Sequence, residues 1–163
     1  MTATHAEPEA LEWSTEDCTI QRTVEAIGDR WSLIVLRELF AGIRRFDQMT
    51  IRTEIPRQVL TARLSRFTDL GIARRVPYQE PGQRTRSEYR LTDKGLDLYP
   101  VLLAMAAWGD RYAVPSDGPP ITWVHRGCGA ELTQVLECAD GHRPATSREI
   151  AGRPGPGAHR RTA

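Results

Sequence analysis

The sequence predicts a mostly α domain with one small antiparallel β-hairpin, arranged as a winged helix-turn-helix. Three observations predict it. Apolar residues recur at helical spacing from about residue 17 to residue 71, and turn residues cut that stretch into short helices. One of those segments, residues 56–71, carries arginines and a glutamine on the face opposite its apolar stripe. After Gly71 the pattern changes from helical to extended, with a Pro-Gly turn between two short pieces.

Taken in order, residues 1–16 are small, acidic and interrupted by Pro8, and read as a disordered arm. Asp17-Cys18-Thr19 precedes a run with Ile20, Val24 and Ile27, a short helix ending near Gly28. Asp29 is placed to cap the next helix. Its Trp31, Leu33, Ile34, Leu36 and Leu39 make it apolar nearly all round, so it is the expected core helix, and it stops near Ala41-Gly42. Arg44 and Arg45 open a third, short helix whose Phe46 and Met49 are spaced to reach the core. A linker near residues 52–54 leads to the segment 56–71. There Val59, Leu60, Leu64, Phe67 and Leu70 form one stripe, and Gly71 sits where glycine ends a helix. Two short helices joined by a tight turn, the second one basic, form a helix-turn-helix.

Residues 72–78 and 84–91 are extended, with Glu80-Pro81-Gly82-Gln83 as the turn between them and Tyr89 and Leu91 on one face. Thr92-Asp93-Lys94-Gly95 begins a last helix running to about Tyr112. Its Leu98, Val101, Leu102, Met105 and Trp108 cover more apolar surface than one small domain buries, so a subunit interface is expected there. The expected organisation is a disordered arm at 1–16, the winged helix at 17–112, a small extension at 113–150 and a disordered basic tail at 151–163. There is no internal repeat.

The totals narrow the function. A net charge of +1 hides an uneven distribution: residues 1–17 hold five acids and no Lys or Arg, whereas residues 52–90 hold nine arginines against four acids. A basic middle fits a polyanionic partner. No apolar run approaches the roughly 18 residues of a membrane span, and the acidic start lacks a signal pattern, so the expected location is the cytoplasm. Three cysteines, Cys18, Cys128 and Cys138, are an odd number rather than a disulfide framework. A Gly-rich phosphate loop and a Gly-x-Ser-x-Gly elbow are both lacking, which argues against an enzyme, and no cofactor is expected.

The exposed start of the basic helix presents Arg57, Gln58 and Thr61, types that donate to or accept from base edges in a major groove. Arg44, Arg45, Arg84 and Arg86 are assigned mainly to phosphates, the last two from the expected wing tip, and Arg66 on the same helix face as Arg57 is a further DNA-contact candidate that can donate to phosphates or base edges. Arg63 has two readings, a DNA contact or a brace to an acid within the fold. His125, Cys128, Cys138 and His142 could hold a tetrahedral zinc, although the spacing is not a common finger spacing. The alternative is a small flap with reduced cysteines.

Several separated motifs occur in order: Cys18 with Ile20, Ile27-Gly28-Asp29-Arg30-Trp31, Leu36-Arg37-Glu38-Leu39, Gly42 with Arg45-Phe46, Leu60-Thr61-Ala62-Arg63-Leu64, Leu70-Gly71-Ile72, Tyr89-Arg90-Leu91-Thr92-Asp93-Lys94-Gly95 and Trp108-Gly109. Together, over about residues 17–112, they resemble the HxlR-type family of bacterial winged-helix transcriptional regulators. The resemblance implies a homodimer built from the N-terminal and final helices, with Ile20, Val24, Leu98, Val101, Leu102, Met105 and Trp108 at the interface. It further implies a pseudo-palindromic operator in double-stranded DNA and control of a nearby gene by a small ligand or an oxidant. Some members use a cysteine at the place of Cys18 as an oxidant sensor. The other reading of Cys18 is a small buried residue at the dimer contact, and Glu16 and Asp17 beside it oppose a reactive thiolate. Two departures stand out. Pro56 replaces the Ser that usually opens the reading helix, and Phe67-Thr68-Asp69 replaces an acidic pair. The expected function is a dimeric repressor; the alternative is a winged-helix adaptor for protein partners with no specific DNA target.

Overall fold

The computed structural model describes residues 12–161. Most of the N-terminal arm, residues 1–11, lies outside them. The order is α1 (Thr19–Ile27), α2 (Arg30–Phe40), α3 (Phe46–Thr53), α4 (Arg57–Asp69), β1 (Ala73–Tyr78), β2 (Arg86–Leu91), α5 (Asp93–Leu96) and α6 (Tyr99–Tyr112), followed by an irregular extension with one 3-10 turn, Ser147–Glu149. The chain divides into two compact units, one from residues up to 26 together with those from 135 on, the other Ile27–Gln134. No helix among the described residues is long and apolar enough to cross a membrane.

The larger unit is the winged helix. Val35, Leu36 and Leu39 of α2, Met49 of α3, and Leu60, Leu64 and Phe67 of α4 are buried together with Ile55 from the α3–α4 turn. These are the stripes that helical spacing selects. Asp29 caps α2 by accepting from the Trp31 and Ser32 amides, each at 3.1 Å. Both α2 and α4 end in the same way. The amide two residues past the cap reaches back to a carbonyl in the last turn, Ile43 N to Glu38 O at 2.9 Å and Ile72 N to Phe67 O at 2.8 Å. Gly42 and Gly71 supply the left-handed residue that this closure needs, at φ +80° and +67°.

The hairpin pairs β1 with β2 antiparallel, Ala73 opposite Leu91 and Tyr78 opposite Arg86. Within its loop Pro81 and Gly82, the latter at φ +74°, form a turn closed by Gln83 N donating to Glu80 O at 3.0 Å.

Four details differ from the sequence reading. The last helix is two helices, because Pro100 stands in the first turn of α6; proline has no amide to give and its ring clashes with the carbonyl four residues back, so α5 ends at Leu96. Pro56 is the residue before α4 rather than its first turn, and no side chain caps that helix. Tyr89 and Glu88 are both buried, so the face alternation in β2 breaks. The cause is a third short strand contact, Arg45 opposite Glu88, with Tyr89 N donating to Arg44 O at 2.9 Å. Finally, Phe46 is only half-buried, while Met49 is fully buried.

In the smaller unit, residues 12–16 pair with the segment read as a tail. Ser14 N donates to His159 O and Arg161 N to Glu12 O, each at 2.8 Å.

Candidate nucleic-acid interface

The Schellman closure of α4 and the buried Leu60-Leu64-Phe67 stripe fix which face of that helix turns outward. Arg57, Gln58, Thr61 and Arg66 are exposed on it. Thr61 Oγ1 donates to Arg57 O at 2.9 Å, so its hydroxyl hydrogen is committed inside the helix, leaving its lone pairs and methyl outward. Arg63 turns the other way. Its Nε lies 2.9 Å from Asp29 Oδ1, and the side chain is 31% exposed. Of the two readings open for Arg63, the geometry is that of the brace. It ties the reading helix to the N-cap of α2.

Asp29 therefore serves two helices. Burial alone would push its carboxyl up. Hydrogen bonds from the Ser32 hydroxyl and amide, the charge of Arg63 and the Trp31 amide outweigh that, and the carboxyl is held below its ordinary 3.8. A carboxylate with a depressed folded pKa contributes stability above its unfolded value and loses it as pH falls through the folded one. As pH falls from about 5 through the folded value below 3.8, urea midpoints should accordingly fall more steeply in the parent than in Asp29→Asn. Parallel acid limbs would show that Asp29 does not couple folding to pH.

Beside α4 lies an open groove of about 550 Å³ between the start of α3, the start of α4 and the wing. Arg57 and Arg86 both reach into it and share one acid, Asp47. Arg57 Nη1 is 3.4 Å from Asp47 Oδ1 and Arg86 Nη1 is 3.6 Å from Asp47 Oδ2. The Arg57 guanidinium also sits over the Phe46 ring, 4.7 Å from its centroid. Arg84 lines the same groove from the wing loop. Arg86 is thus not at the wing tip: it opens β2 opposite Tyr78 and points back toward Asp47 at the start of α3. Arg45 is held by Glu80 at 2.5 Å and lies 4.3 Å over the Tyr78 ring. Its hydrogen bond to Glu80 raises its pKa above the ordinary guanidinium value, so it is a fixed positive charge that anchors the wing. Arg44 is exposed at the start of α3.

The sequence reading missed Asp47, Glu80 and the two aromatic platforms. Each acts across the fold, and nothing in its local spacing marks it. It also missed Glu38, which is fully buried on α2. The Glu38 carboxylate is shared by Arg37 and Arg52, each at 2.7 Å, and so locks α2 to α3.

The other expected residues fall elsewhere. On α6, which buries no residue, Val101, Met105 and Trp108 form an exposed apolar stripe with Tyr112, while Leu98 and Leu102 are half-buried. On α1, Ile20 and Val24 are exposed. Cys18 is half-buried, one residue before α1. The four expected metal ligands form two local pairs, His125 Nδ1 with Cys128 Sγ at 3.2 Å and Cys138 Sγ with His142 Nδ1 at 3.5 Å.

Comparison with known proteins fits this geometry. The model of the HxlR-like helix-turn-helix family matches residues 26–117. The HTH-type transcriptional regulator MT3179 of Mycobacterium tuberculosis (strain CDC 1551 / Oshkosh) is 40% identical over 139 residues, 85% of this chain and 87% of its own length. The HTH-type transcriptional regulator YdeP of Bacillus subtilis (strain 168) is 31% identical over 106 residues, 63% of this chain and 81% of its own. Among solved structures, PA1607 aligns with a TM-score of 0.73 at 31% identity, covering 85% of this chain and 96% of that one. The redox regulator HypR in its reduced form aligns at 0.51 and 28% identity, over 56% and 90%. Its helix-turn-helix, wing and outward basic face agree with these matches, and the chain belongs to the HxlR-like helix-turn-helix family of DNA-binding transcriptional regulators, a non-enzymatic family.

Proposed function

We propose that this regulator is a homodimeric repressor that reads a pseudo-palindromic operator, with Arg57, Gln58 and Thr61 contacting base edges and Arg44, Arg66, Arg84 and Arg86 gripping phosphates. The observation that carries this reading is the exposed polar start of α4 beside a groove lined by arginines. Arg63 and Arg45 are left as braces, since each is held closely by an acid of the fold, at 2.9 and 2.5 Å, whereas Arg57 and Arg86 stand 3.4 and 3.6 Å from Asp47. The exposed stripe on α6 supports a second copy as its cover, because free monomers rarely leave Val101, Met105, Trp108 and Tyr112 in one open row. Two copies present two reading helices, and half-sites about one helical turn apart then follow. A compact dimer over a promoter blocks polymerase without a further contact, which favours repression.

Two routes of release are open to this dimer. A pocket of about 210 Å³ between α2 and α6, lined by Leu33, Ile34, Phe40, Tyr99 and Leu102 with Trp123 beside it, fits a small apolar ligand. Arg37 also lines it, with its guanidinium already paired to Glu38. The other route is oxidation at Cys18, supported by the likeness to HypR. Operator binding by Cys18→Ser that still responds to peroxide as the parent does would eliminate it.

The test is operator binding by gel shift with the protein's own upstream region at two salt concentrations, together with the solution mass. A dimer with strongly salt-dependent binding is expected. Arg84→Ala should weaken all sequences alike and reduce the salt slope by about one unit, as one lost phosphate contact does. Salt-insensitive or absent binding would favour the protein-adaptor reading instead.

A further inference from the structure

The extension beyond α6 has turns but no core. Among the described residues from 113 on, none is buried, and Ile121, Val124, Leu132, Val135, Leu136 and Ile150 are all largely exposed. Its backbone is nevertheless closed into tight loops. Cys138 N donates to His142 O and Gly141 N to Cys138 O, both at 2.9 Å, and Gly141 takes φ +79° to let the chain return. Small units without an apolar core are held by disulfides or by a metal. Cys18, Cys128 and Cys138 are all free thiols.

The same loop gathers metal-ligand atoms. Cys138 Sγ, a carboxylate oxygen of Asp140 and a ring nitrogen of His142 all lie within 4.8 Å of one another. Cys138 Sγ and His142 Nδ1 are 3.5 Å apart. With ordinary zinc–sulfur and zinc–nitrogen bonds, the edge of a tetrahedral zinc site between these two atoms is about 3.6 Å, so the loop already has the required bite. The thiol–imidazole contact recurs at His125 and Cys128, again on a turn with a left-handed glycine, Gly129 at φ +75°. A weak thiol–imidazole hydrogen bond in water is a poor reason for this loop to hold its shape. A bound ion supplies one.

We propose that the Cys138–His142 loop is a structural zinc site, with Cys138, His142 and Asp140 as ligands and the remaining tetrahedral position open to a further donor. Cys138 binds as the thiolate and its proton goes to solvent; His142 binds as the neutral ring through Nδ1. The mixture of thiolate, imidazole and carboxylate suits zinc over magnesium or calcium, which prefer oxygen alone.

The test uses the full-length chain, purified without chelator and analysed for metal by mass spectrometry. About one zinc per chain is expected, falling below about 0.2 in both Cys138→Ser and His142→Ala, while Cys18→Ser keeps its metal. Replacement of zinc by cobalt(II) in the parent gives a readout that does not depend on the variants folding. A thiolate-to-cobalt charge-transfer band in the near ultraviolet is expected. The proposal is overturned if the parent holds under about 0.2 zinc after incubation with micromolar zinc chloride, if both variants retain the metal, or if the cobalt form lacks the thiolate band.

Discussion

Gly95→Ala should be among the most damaging single substitutions in this chain, lowering the unfolding free energy by roughly 3 kcal/mol, the upper end for an overpacked site. A Cβ built on Gly95 would stand 2.1 Å from the Ile72 carbonyl oxygen, a backbone atom that cannot swing aside. That oxygen is already in use, accepting from Thr92 N at 3.0 Å and from Thr92 Oγ1 at 3.1 Å. Lys94 Nζ donates to Leu70 O at 2.8 Å in the same place. The start of α5 therefore clamps residues 70–72, where the reading helix ends and the wing begins. Moving it by the ångström that a methyl group demands disturbs the end of α4 and the register of β1 together. Urea unfolding reads the loss directly, and a midpoint change equivalent to less than about 1 kcal/mol would show that the clamp is soft.

For DNA binding, the largest expected effect is that of Arg57→Ala. The guanidinium stands over Phe46 at the exposed start of α4 and carries two donors suited to a guanine edge. Its removal should cost about 1–3 kcal/mol at the matched base pair, roughly five- to 150-fold in affinity, and flatten the preference at that position. Binding to unrelated duplex should fall much less. A panel of operator variants titrated against parent and mutant at one fixed salt concentration measures both. Unchanged affinity and unchanged base preference would remove Arg57 from the reading face.

The helical scaffold was legible because its signals are local. Asp29, Gly42, Gly71 and Pro81-Gly82 act within four residues of themselves, and the Leu60-Leu64-Phe67 stripe needs only helical spacing. Pro100 is equally local, and it sets the boundary between α5 and α6 that the apolar pattern alone does not mark. What stayed hidden depends on parts distant in sequence. Glu88 is buried because Arg45, more than forty positions earlier, pairs beside it. Glu38 is tolerated in the interior because Arg37 beside it and Arg52 on another helix share its carboxylate. Within the interface the same division holds. Helical spacing placed Arg57, Gln58 and Thr61 on one outward face and left Arg63 open between a DNA contact and a brace, but it did not mark Arg45 as one the fold keeps for itself. Arg63 and Arg45 are distinguished from Arg84 only by where Asp29 and Glu80 come to rest.

Asp47 gives the groove a resident competitor for its own arginines. If Arg57 and Arg86 grip a duplex as proposed, each must first leave a carboxylate that is already there. A stretch of arbitrary sequence offers only phosphates, and exchanging one anion for another gains little. A matched stretch offers base edges as well. The acid therefore sets a threshold, deducting a similar amount from every encounter, so that more of the affinity that remains depends on the letters being read.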